Sequence, residues 1–451
     1  MKTLGVRVPP LAPFTPYGNG GQSRLMIKID VEDLGSTKKR LQIEVPGEIV
    51  TKEIDSAYRK LSKRAKVKGF RPGKVPRAIL QRYYGDYVKN EVISKVINDT
   101  YIKAISDQDI KPVSQPTIDD GALEEGKAFE YSAIVEVKPD IQVKGYLSLR
   151  LKTSKVEVTG KDVEKRLRDL QNLHAQLVTV EERKKIEEGD FVIVDYEGFS
   201  DGGPFEGSSG KDFMLQVGSG GFIPGFDEEI IGRERDDEVE VEMTFPENHP
   251  KMAGRHAVFR ARIKEVKEKI LPKLDDEFAK DIGEYKDLEE VKARIREDLK
   301  REGEESKRRD LENQLVEKLI DGNPFDVPRS MVEGQIDYLV ADAKIRLASQ
   351  GFALKDVGVE EGKLRKDFEE AALKRVKQEL ILEKISTLEG ISVKNEEVTE
   401  RLREISLRTN QNVEKVRGYY QKGDRMEELK AKIVEEKTLD FLLKGSHIKV
   451  K

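Results

Sequence analysis

Nine lysines and arginines (59, 60, 63, 64, 66, 68, 71, 74 and 77) fall between Arg59 and Arg77 with no Asp or Glu among them. Within this stretch, residues 66–79 read KVKGFRPGKVPRAI. Glycines at 69 and 73 permit positive-φ turns, whereas Pro72 and Pro76 fix φ. A tip built this way is stiff and loses little entropy when a partner immobilises it. Phe70 offers an apolar anchor beside Arg71, a fork that pairs with phosphate. A run of like charge is ordinarily a solvated helix face. Stiffness and a projecting aromatic turn this one into a docking surface of the kind that RNA–protein contacts use.

Other chemistries are excluded by what the chain lacks. It has no cysteine, so disulfides, thiolate nucleophiles and cysteine-ligated metals are out, which fits a reducing compartment. Four histidines (174, 249, 256 and 447) are scattered and give no metal-ligand spacing. Neither a P-loop nor a dinucleotide fingerprint occurs, so no cofactor is expected. The formal charge of -4 is close to neutral, so any docking on nucleic acid must come from a local patch. Charged residues make up 37% of the chain, against about 25% in ordinary domains. That balance suits an elongated, surface-rich molecule of several domains. No apolar run approaches the ~18 residues of a membrane span.

The elements that must hold the cationic turn follow from periodicity. Residues 26–45 give two alternating runs around a Gly-Ser turn, a hairpin signal. After Pro46-Gly47, Ile54, Ala57, Tyr58, Leu61 and Ala65 have the spacing of an amphipathic helix. A second helix starts at Pro76 and puts Ile79, Leu80, Tyr83, Val88, Val92, Ile93, Val96, Ile97, Tyr101 and Ile105 on its apolar side. The pattern turns extended from Lys111 to about 140. Residues 147–157 alternate, and 160–178 read as a charged helix with Val163, Leu167, Leu170 and Leu177 on one face. Short β-runs follow from Gly189 to about Lys267, and amphipathic helices after 271–278. The first 25 residues are Pro/Gly-rich without a signal-peptide pattern and are expected to be a disordered extension, with Met26 a candidate start.

Gly69-Phe70-Arg71-Pro72-Gly73-Lys74-Val75-Pro76 resembles the ribosome-docking signature G-F-R-x-G-x-x-P of the bacterial trigger factor family. The resemblance runs from Met26 to the C-terminus. It implies that Gly69, Phe70, Arg71, Pro72, Gly73, Lys74 and Pro76 form a foot on the large ribosomal subunit near the exit tunnel, touching ribosomal protein and rRNA.

Asp195-Tyr196-Glu197-Gly198, Pro204-Phe205-Glu206-Gly207, Phe222-Ile223-Pro224-Gly225-Phe226 and Ala257-Val258-Phe259 together resemble an FKBP-type prolyl isomerase. The resemblance implies a catalytic pocket lined by Tyr196, Phe205, Phe213, Ile223, Phe226 and Phe259, with Glu206 as its polar neighbour. Such a site needs no acid, base or nucleophile. Amide resonance holds the X–Pro bond planar behind a barrier of about 18–20 kcal/mol. A twisted amide has lost resonance and polarity, so a dry aromatic pocket favours it over the planar ground state. Two positions depart from the common pattern: Glu206 where an Asp is usual, and Phe226 where a Trp is frequent. The loop 246–256 holds no tyrosine equivalent to the family's, and offers His249 or nothing in its place.

The segment at 271–285 resembles the entry to the trigger factor C-terminal domain, which implies a cradle for unfolded nascent chains. Phe325, Met331, Phe352, Tyr419, Tyr420 and Met426 lie near helix breaks, where they pack or face an open cleft. The mixed charges at 287–319 read as a solvated face. The expected architecture is therefore multidomain α+β. It runs from an extension (1–25) and a ribosome-binding α+β domain (26–145), through a connector (146–186) and an FKBP-like bent antiparallel sheet (187–268), to an all-α chaperone domain with arms (269–451). The expected function is an ATP-independent, cytoplasmic, ribosome-associated chaperone of nascent or unfolded polypeptides, with prolyl isomerase activity. No membrane partner is expected; a weak homodimer off the ribosome is among the expected partners. The alternative is a stand-alone FKBP-type isomerase and holdase that does not dock.

Overall fold

The structure is a computed structural model, and it describes residues 27–71, 73–180, 185–200, 203–220, 225–245, 252, 254–355 and 358–450, the side chain of Glu206 excepted. Two compact units emerge, one of Met1–Leu151 with Glu312–Ile448 and the other of Lys152–Leu311 with Lys449–Lys451.

In the first unit, β1 (Lys28–Asp33) and β2 (Lys38–Val45) form the expected hairpin. Helices α1 (Gly47–Arg64) and α2 (Arg77–Asp107) follow, and then β3 (Thr117–Asp120) and β4 (Phe129–Glu136). The antiparallel sheet has the order β1-β2-β4-β3. Period-two burial decides its register: Leu41, Ile43 and Val45 on β2 face the helices with Phe129, Tyr131, Ala133 and Val135 on β4. From the helices come Val50, Ile54, Ala57, Leu80, Val88, Val92 and Val96. The Tyr131 hydroxyl is buried here and meets Thr100 Oγ1 at 2.7 Å, which satisfies both groups. In α2 one residue departs from helical geometry, Tyr84 at φ −132°. Tyr84 packs against the core, and Tyr83, which the periodicity places on the apolar side, is exposed instead.

After β5 (Arg150–Thr153), the second unit opens with α3 (Gly160–Leu173), started by a capping box between Thr159 and Asp162. This helix stops short of residue 178. Residues 176–179 form β6 (Gln176–Thr179), with Leu177 exposed on an edge strand rather than on a helix face. Strands β7 (Phe191–Ser200) and β8 (Gly203–Gln216), helix α4 (Phe226–Ile230) and strands β9 (Glu238–Thr244) and β10 (His256–Ile270) complete an FKBP-like antiparallel sheet. Its order is β6-β10-β7-β8, with β9 also on β10. β10 buries Ala257, Phe259, Ala261 and Ile263, and a register shift between Ile263 and Glu265 brings Val266 onto the same face. Helix α5 (Asp276–Ile282) and the first half of α6 (Leu288–Gly322) pack against α3 through Val163, Leu167, Phe278, Val291 and Ile295. The exposed side of α6 carries i,i+3 and i,i+4 ion pairs such as Arg294–Asp298, Arg301–Asp298 and Lys307–Glu304, a solvated face as read from sequence.

The helices beyond residue 312 belong to the first unit: α7 (Arg329–Ser349), α8 (Glu361–Asp367), α9 (Glu369–Leu388), α10 (Asn395–Thr409), α11 (Val413–Tyr420) and α12 (Arg425–Lys444). The last strand, β11 (His447–Val450), pairs with β5. Val332, Ile336 and Val340 of α7 pack on Ala372, Val376 and Leu380 of α9. Val398 and Leu402 of α10 pack on Val416, Leu429 and Ile433. Across α9 and α12, Arg375 grips Glu435 with two hydrogen bonds of 2.6 and 2.8 Å. Among the described residues, no helix is long and apolar enough to cross a membrane.

Candidate functional site

The cationic turn joins α1 to α2 and is tied down from beneath. Ala65 and Val75 are buried in the core, and Val67 packs against it. The Gly73 amide donates to the Ser62 carbonyl at 2.9 Å, and the Phe70 amide to the Val67 carbonyl at 3.0 Å. Gly69 and Gly73 sit at φ +92° and +85°, where a side chain is strained. With both feet of the loop fixed, Phe70 is left 39% exposed at its tip. Gly69, Arg71, Gly73, Lys74 and Pro76 are exposed around it. Pro72 lies outside the described residues. Of the nine cations only Arg77 is neutralised: it pairs with Asp55 at 2.5 Å and Glu125 at 2.7 Å and lies over the Tyr58 ring. Among the described residues, the other eight have no carboxylate within ion-pair distance. The loop is a rigid, uncompensated positive patch around one aromatic ring.

In the second unit a chain of rings links β7, β8 and β10 of the sheet. Tyr196 on β7 meets Phe213 on β8 edge-on at 5.6 Å and Phe259 on β10 at 6.5 Å. Phe205 meets Phe259 at 5.9 Å and Phe245 at 5.8 Å, both near-perpendicular. Edge-to-face pairs of this sort stabilise beyond their buried area. Two irregularities of β8 aim the rings. Opposite β7, Pro204 pairs with Phe199 and Ser209 with Glu197, so residues 205–208 bulge out over Gly198. The Phe205 amide donates to the buried Ser208 hydroxyl at 3.2 Å, which closes that bulge. A second register shift lies between Val194 and Tyr196, where the Asp195 carboxylate accepts the Asp212 amide at 2.7 Å. Lys264 bridges Asp195 and Asp212. The Asp212 amide and the Lys264 ammonium hold the Asp195 carboxyl below the usual carboxylate range.

Two glycines back the rings because nothing larger fits. A Cβ on Gly198 would stand 2.5 Å from the Phe259 ring, and one on Gly210 2.6 Å from the Tyr196 ring. The structure thus brings together Tyr196, Phe205, Phe213 and Phe259 from the sequence-predicted set. Phe226 is fully buried in the core cluster against which Tyr196 packs. Ile223, His249 and the Glu206 side chain lie outside the described residues. Sequence reasoning missed Phe245, at the end of β9, because a single Phe before the 246–250 loop carries no motif. It also missed Asp195 as the pin of the bulge. Among the described residues no cluster of metal-ligating side chains occurs. Among the described residues the site offers a wall of aromatic rings, which suits conformational chemistry on an apolar substrate segment.

Of the helix-break candidates, Phe325 and Met331 pack on the α7–α9 core, and Tyr420 and Met426 on the α10–α12 core. Phe352 and Tyr419 are exposed, the latter with the Arg425 guanidinium 4.1 Å over its ring.

Comparison with known proteins gives three family matches. The family described as bacterial trigger factor protein matches residues 27–170, and its C-terminus model matches 287–444. The FKBP-type peptidyl-prolyl cis-trans isomerase family matches 182–272. Trigger factor of Geotalea uraniireducens is 38% identical over 425 residues, covering 94% of this chain and 98% of the relative. Trigger factor of Syntrophotalea carbinolica is 39% identical over 421 residues, covering 92% and 95%. A solved trigger factor chaperone structure aligns at 24% identity over 92% of this chain and 99% of its own, with a TM-score of 0.47.

Proposed function

Because the chain belongs to the bacterial trigger factor family, and so is a ribosome-associated chaperone with peptidyl-prolyl cis-trans isomerase activity, we propose a division of labour among its parts. The 26–145 segment docks on the large ribosomal subunit beside the exit tunnel, through Gly69, Phe70, Arg71, Pro72, Gly73, Lys74 and Pro76. It meets ribosomal protein and rRNA there. The observation that carries this is the tied-down loop, where Phe70 projects among Lys66, Lys68, Arg71 and Lys74, which have no carboxylate within ion-pair distance among the described residues. A pre-formed tip loses little entropy on docking, and its charge steers it to a polyanionic surface.

The 187–268 segment carries the isomerase. Tyr196, Phe205, Phe213 and Phe259 supply the apolar wall against which an X–Pro amide twists, and Phe226 supports it from the core; by family resemblance Ile223 adds to the wall and Glu206 is its polar neighbour. Residues 269–451 form the body that shields nascent chains, with 146–186 as connector. Dispersed exposed side chains such as Phe352 and Tyr419 on a highly charged surface give weak, promiscuous contacts of the sort a holdase needs. The setting is cytoplasmic, no nucleotide drives the cycle, and a weak homodimer forms off the ribosome.

Co-sedimentation with bacterial ribosomes tests the docking reading, comparing the native chain with one carrying Phe70→Ala, Arg71→Ala and Pro72→Ala. Salt-sensitive binding that disappears in the triple variant supports the foot. Equal binding by both proteins rejects it.

A further inference from the structure

Three of the wall rings stand on residues with a cross-strand partner: Tyr196 opposite Ala261, Phe213 opposite Val194 and Phe259 opposite Val241. Phe205 falls instead in the 205–208 bulge, outside the β7–β8 register. Its amide donates to the Ser208 hydroxyl at 3.2 Å. That bond fixes the backbone but leaves the side-chain torsions open, so the direction of the ring has to come from packing. Phe245 supplies the packing. Alternation along β9 buries Val239 and Val241 and half-buries Met243, and Phe245 continues the same period two residues on. Met243 lies opposite Ala257 and Val241 opposite Phe259, so Phe245 shares the face of the Phe259 ring. Both backbone groups of Phe245 are held: its amide donates to the Arg255 carbonyl at 2.9 Å, and its carbonyl accepts the Gly254 amide at 3.0 Å. From this fixed point its ring meets Phe205 at 5.8 Å and 86°, while Phe259 meets Phe205 at 5.9 Å and 90°.

From this geometry we infer that Phe245 is a positioning residue of the isomerase site, which orients the Phe205 ring in the wall and acts on the substrate only through it. The inference rests on the reading above that places the isomerase on these rings. Phe245 is the end of the ring series Phe213, Tyr196, Phe259, Phe205, Phe245, one ring beyond the wall itself. A wall favours the twisted amide when its rings are in place beforehand. Without Phe245, the Phe205 ring keeps a single perpendicular partner and has to be ordered as the amide twists, which raises the barrier. The planar substrate meets apolar surface in either case. The loss therefore falls on kcat rather than on KM.

The test is steady-state isomerase kinetics of the full-length chain on a proline tetrapeptide, with a melting temperature for each protein. It compares the native chain with Phe245→Leu, Phe245→Tyr, Phe205→Leu and the double variant Phe205→Leu/Phe245→Leu. Phe245 is half-buried, so a leucine there leaves the core around Phe226 in place. Should that variant unfold all the same, Phe245→Met is read in the same way. Phe245→Leu is expected to lower kcat about two- to tenfold, the worth of one edge-to-face partner, with KM near the native value. Phe245→Tyr keeps the ring and should restore kcat. In the Phe205→Leu background, Phe245→Leu should have no further effect, because the ring it orients is gone. Equal losses in both backgrounds would mean that Phe245 touches the substrate or acts through the fold, and would overturn the inference. Should Phe205→Leu lower kcat while Phe245→Leu leaves it native, the wall stands and Phe245 has no part in it. Should Phe205→Leu itself leave kcat unchanged, the reading of the wall falls, and the inference with it.

Discussion

The Glu136 carboxylate, at the end of β4, accepts the backbone amide of Ser330 at 2.7 Å, 194 residues further along the chain. Ser330 is in the first turn of α7, so a strand of the α/β half caps a helix of the helical half within one compact unit. Lys38 approaches the same carboxylate at 3.7 Å. Around it lie Ser36 to Asp326 at 3.2 Å, Lys138 to Glu383 at 2.5 Å and Lys384 to Asp140 at 2.7 Å. The buried side chain of Asn323 receives the Lys144 amide at 2.7 Å and donates to its carbonyl at 3.2 Å. The joint also has an apolar part, where Ile141 and Val143 pack on the α7–α9 core.

Glu136→Ala leaves the start of α7 without its acceptor. Burial opposes charge on Glu136, and the Ser330 amide with Lys38 outweighs it, so the carboxyl is held below its ordinary range. Hydrogen bonds to a charged group contribute about 1.5–3 kcal/mol. Hydrogen exchange at the Ser330–Val332 amides is expected to speed up in Glu136→Ala by a factor of about ten or more. Glu136→Gln, which keeps an acceptor, should fall between. Unchanged exchange in both would mean that the cap contributes nothing.

Gly198→Ala drives a methyl into the Phe259 ring at 2.5 Å, and the ring is wedged between Tyr196 and Phe205. Overpacking of this kind typically costs about 1–3 kcal/mol. The variant is expected to lose isomerase kcat/KM on a proline tetrapeptide while ribosome binding is unaffected. Adding Phe259→Leu should restore the melting temperature and leave isomerase activity low. Recovery of full activity in the double variant would show that the ring has no part in the site.

Much of this was legible in the sequence because hydrophobic period and turn residues agree. The hairpin, the two helices around Gly69–Pro76 and the aromatic order of the isomerase are local signals. What was not legible comes from irregularities that tertiary contacts impose. One non-helical residue, Tyr84, exchanges the expected burial of Tyr83 for its own. Leu177 fits a helical stripe, yet its strand pairs with the edge of β10, and the sheet prevails over local propensity. The 205–208 bulge leaves no period to read, so the meeting of Phe205 with Phe245 was invisible. Amphipathic helices announce a core but not their partners. For this reason the packing of Phe325, Met331, Tyr420 and Met426, and the exposure of Phe352 and Tyr419, had to be seen.

Asp195 makes the isomerase domain sensitive to acid. Its carboxyl is depressed by the Asp212 amide and Lys264, so its stabilising contribution is present above the ordinary carboxylate range and is lost as pH falls through the folded-state value. Asp195→Asn removes that linkage. The amide and chemical-shift signals of residues 210–213 are expected to move in the native chain on acidification toward and below pH ~4, and to stay flat in the variant over the same interval. The variant should also show faster opening of the Val194–Tyr196 bulge by hydrogen exchange. A native chain whose bulge ignores acidification would remove Asp195 from this role.

Client capture should depend on rings that the fold leaves outside. Arg425 stacks over Tyr419 at 4.1 Å, so that ring is held in place before any client arrives and loses little side-chain entropy on contact. Phe352 caps the end of α7, its amide donating to the Leu347 carbonyl at 3.0 Å, which likewise fixes its backbone. Each ring already buries half its surface, so covering the remainder contributes about 1 kcal/mol, roughly a fivefold effect. Phe352→Ser and Tyr419→Ser are each expected to raise by a few-fold the concentration needed to suppress aggregation of a denatured protein, and the two effects should multiply. Isomerase activity on a proline tetrapeptide provides the control, because that substrate is too short to use both surfaces. A loss of isomerase activity in parallel with capture would mean that the substitutions act through folding; capture unchanged in the double variant would mean that clients bind elsewhere on the body.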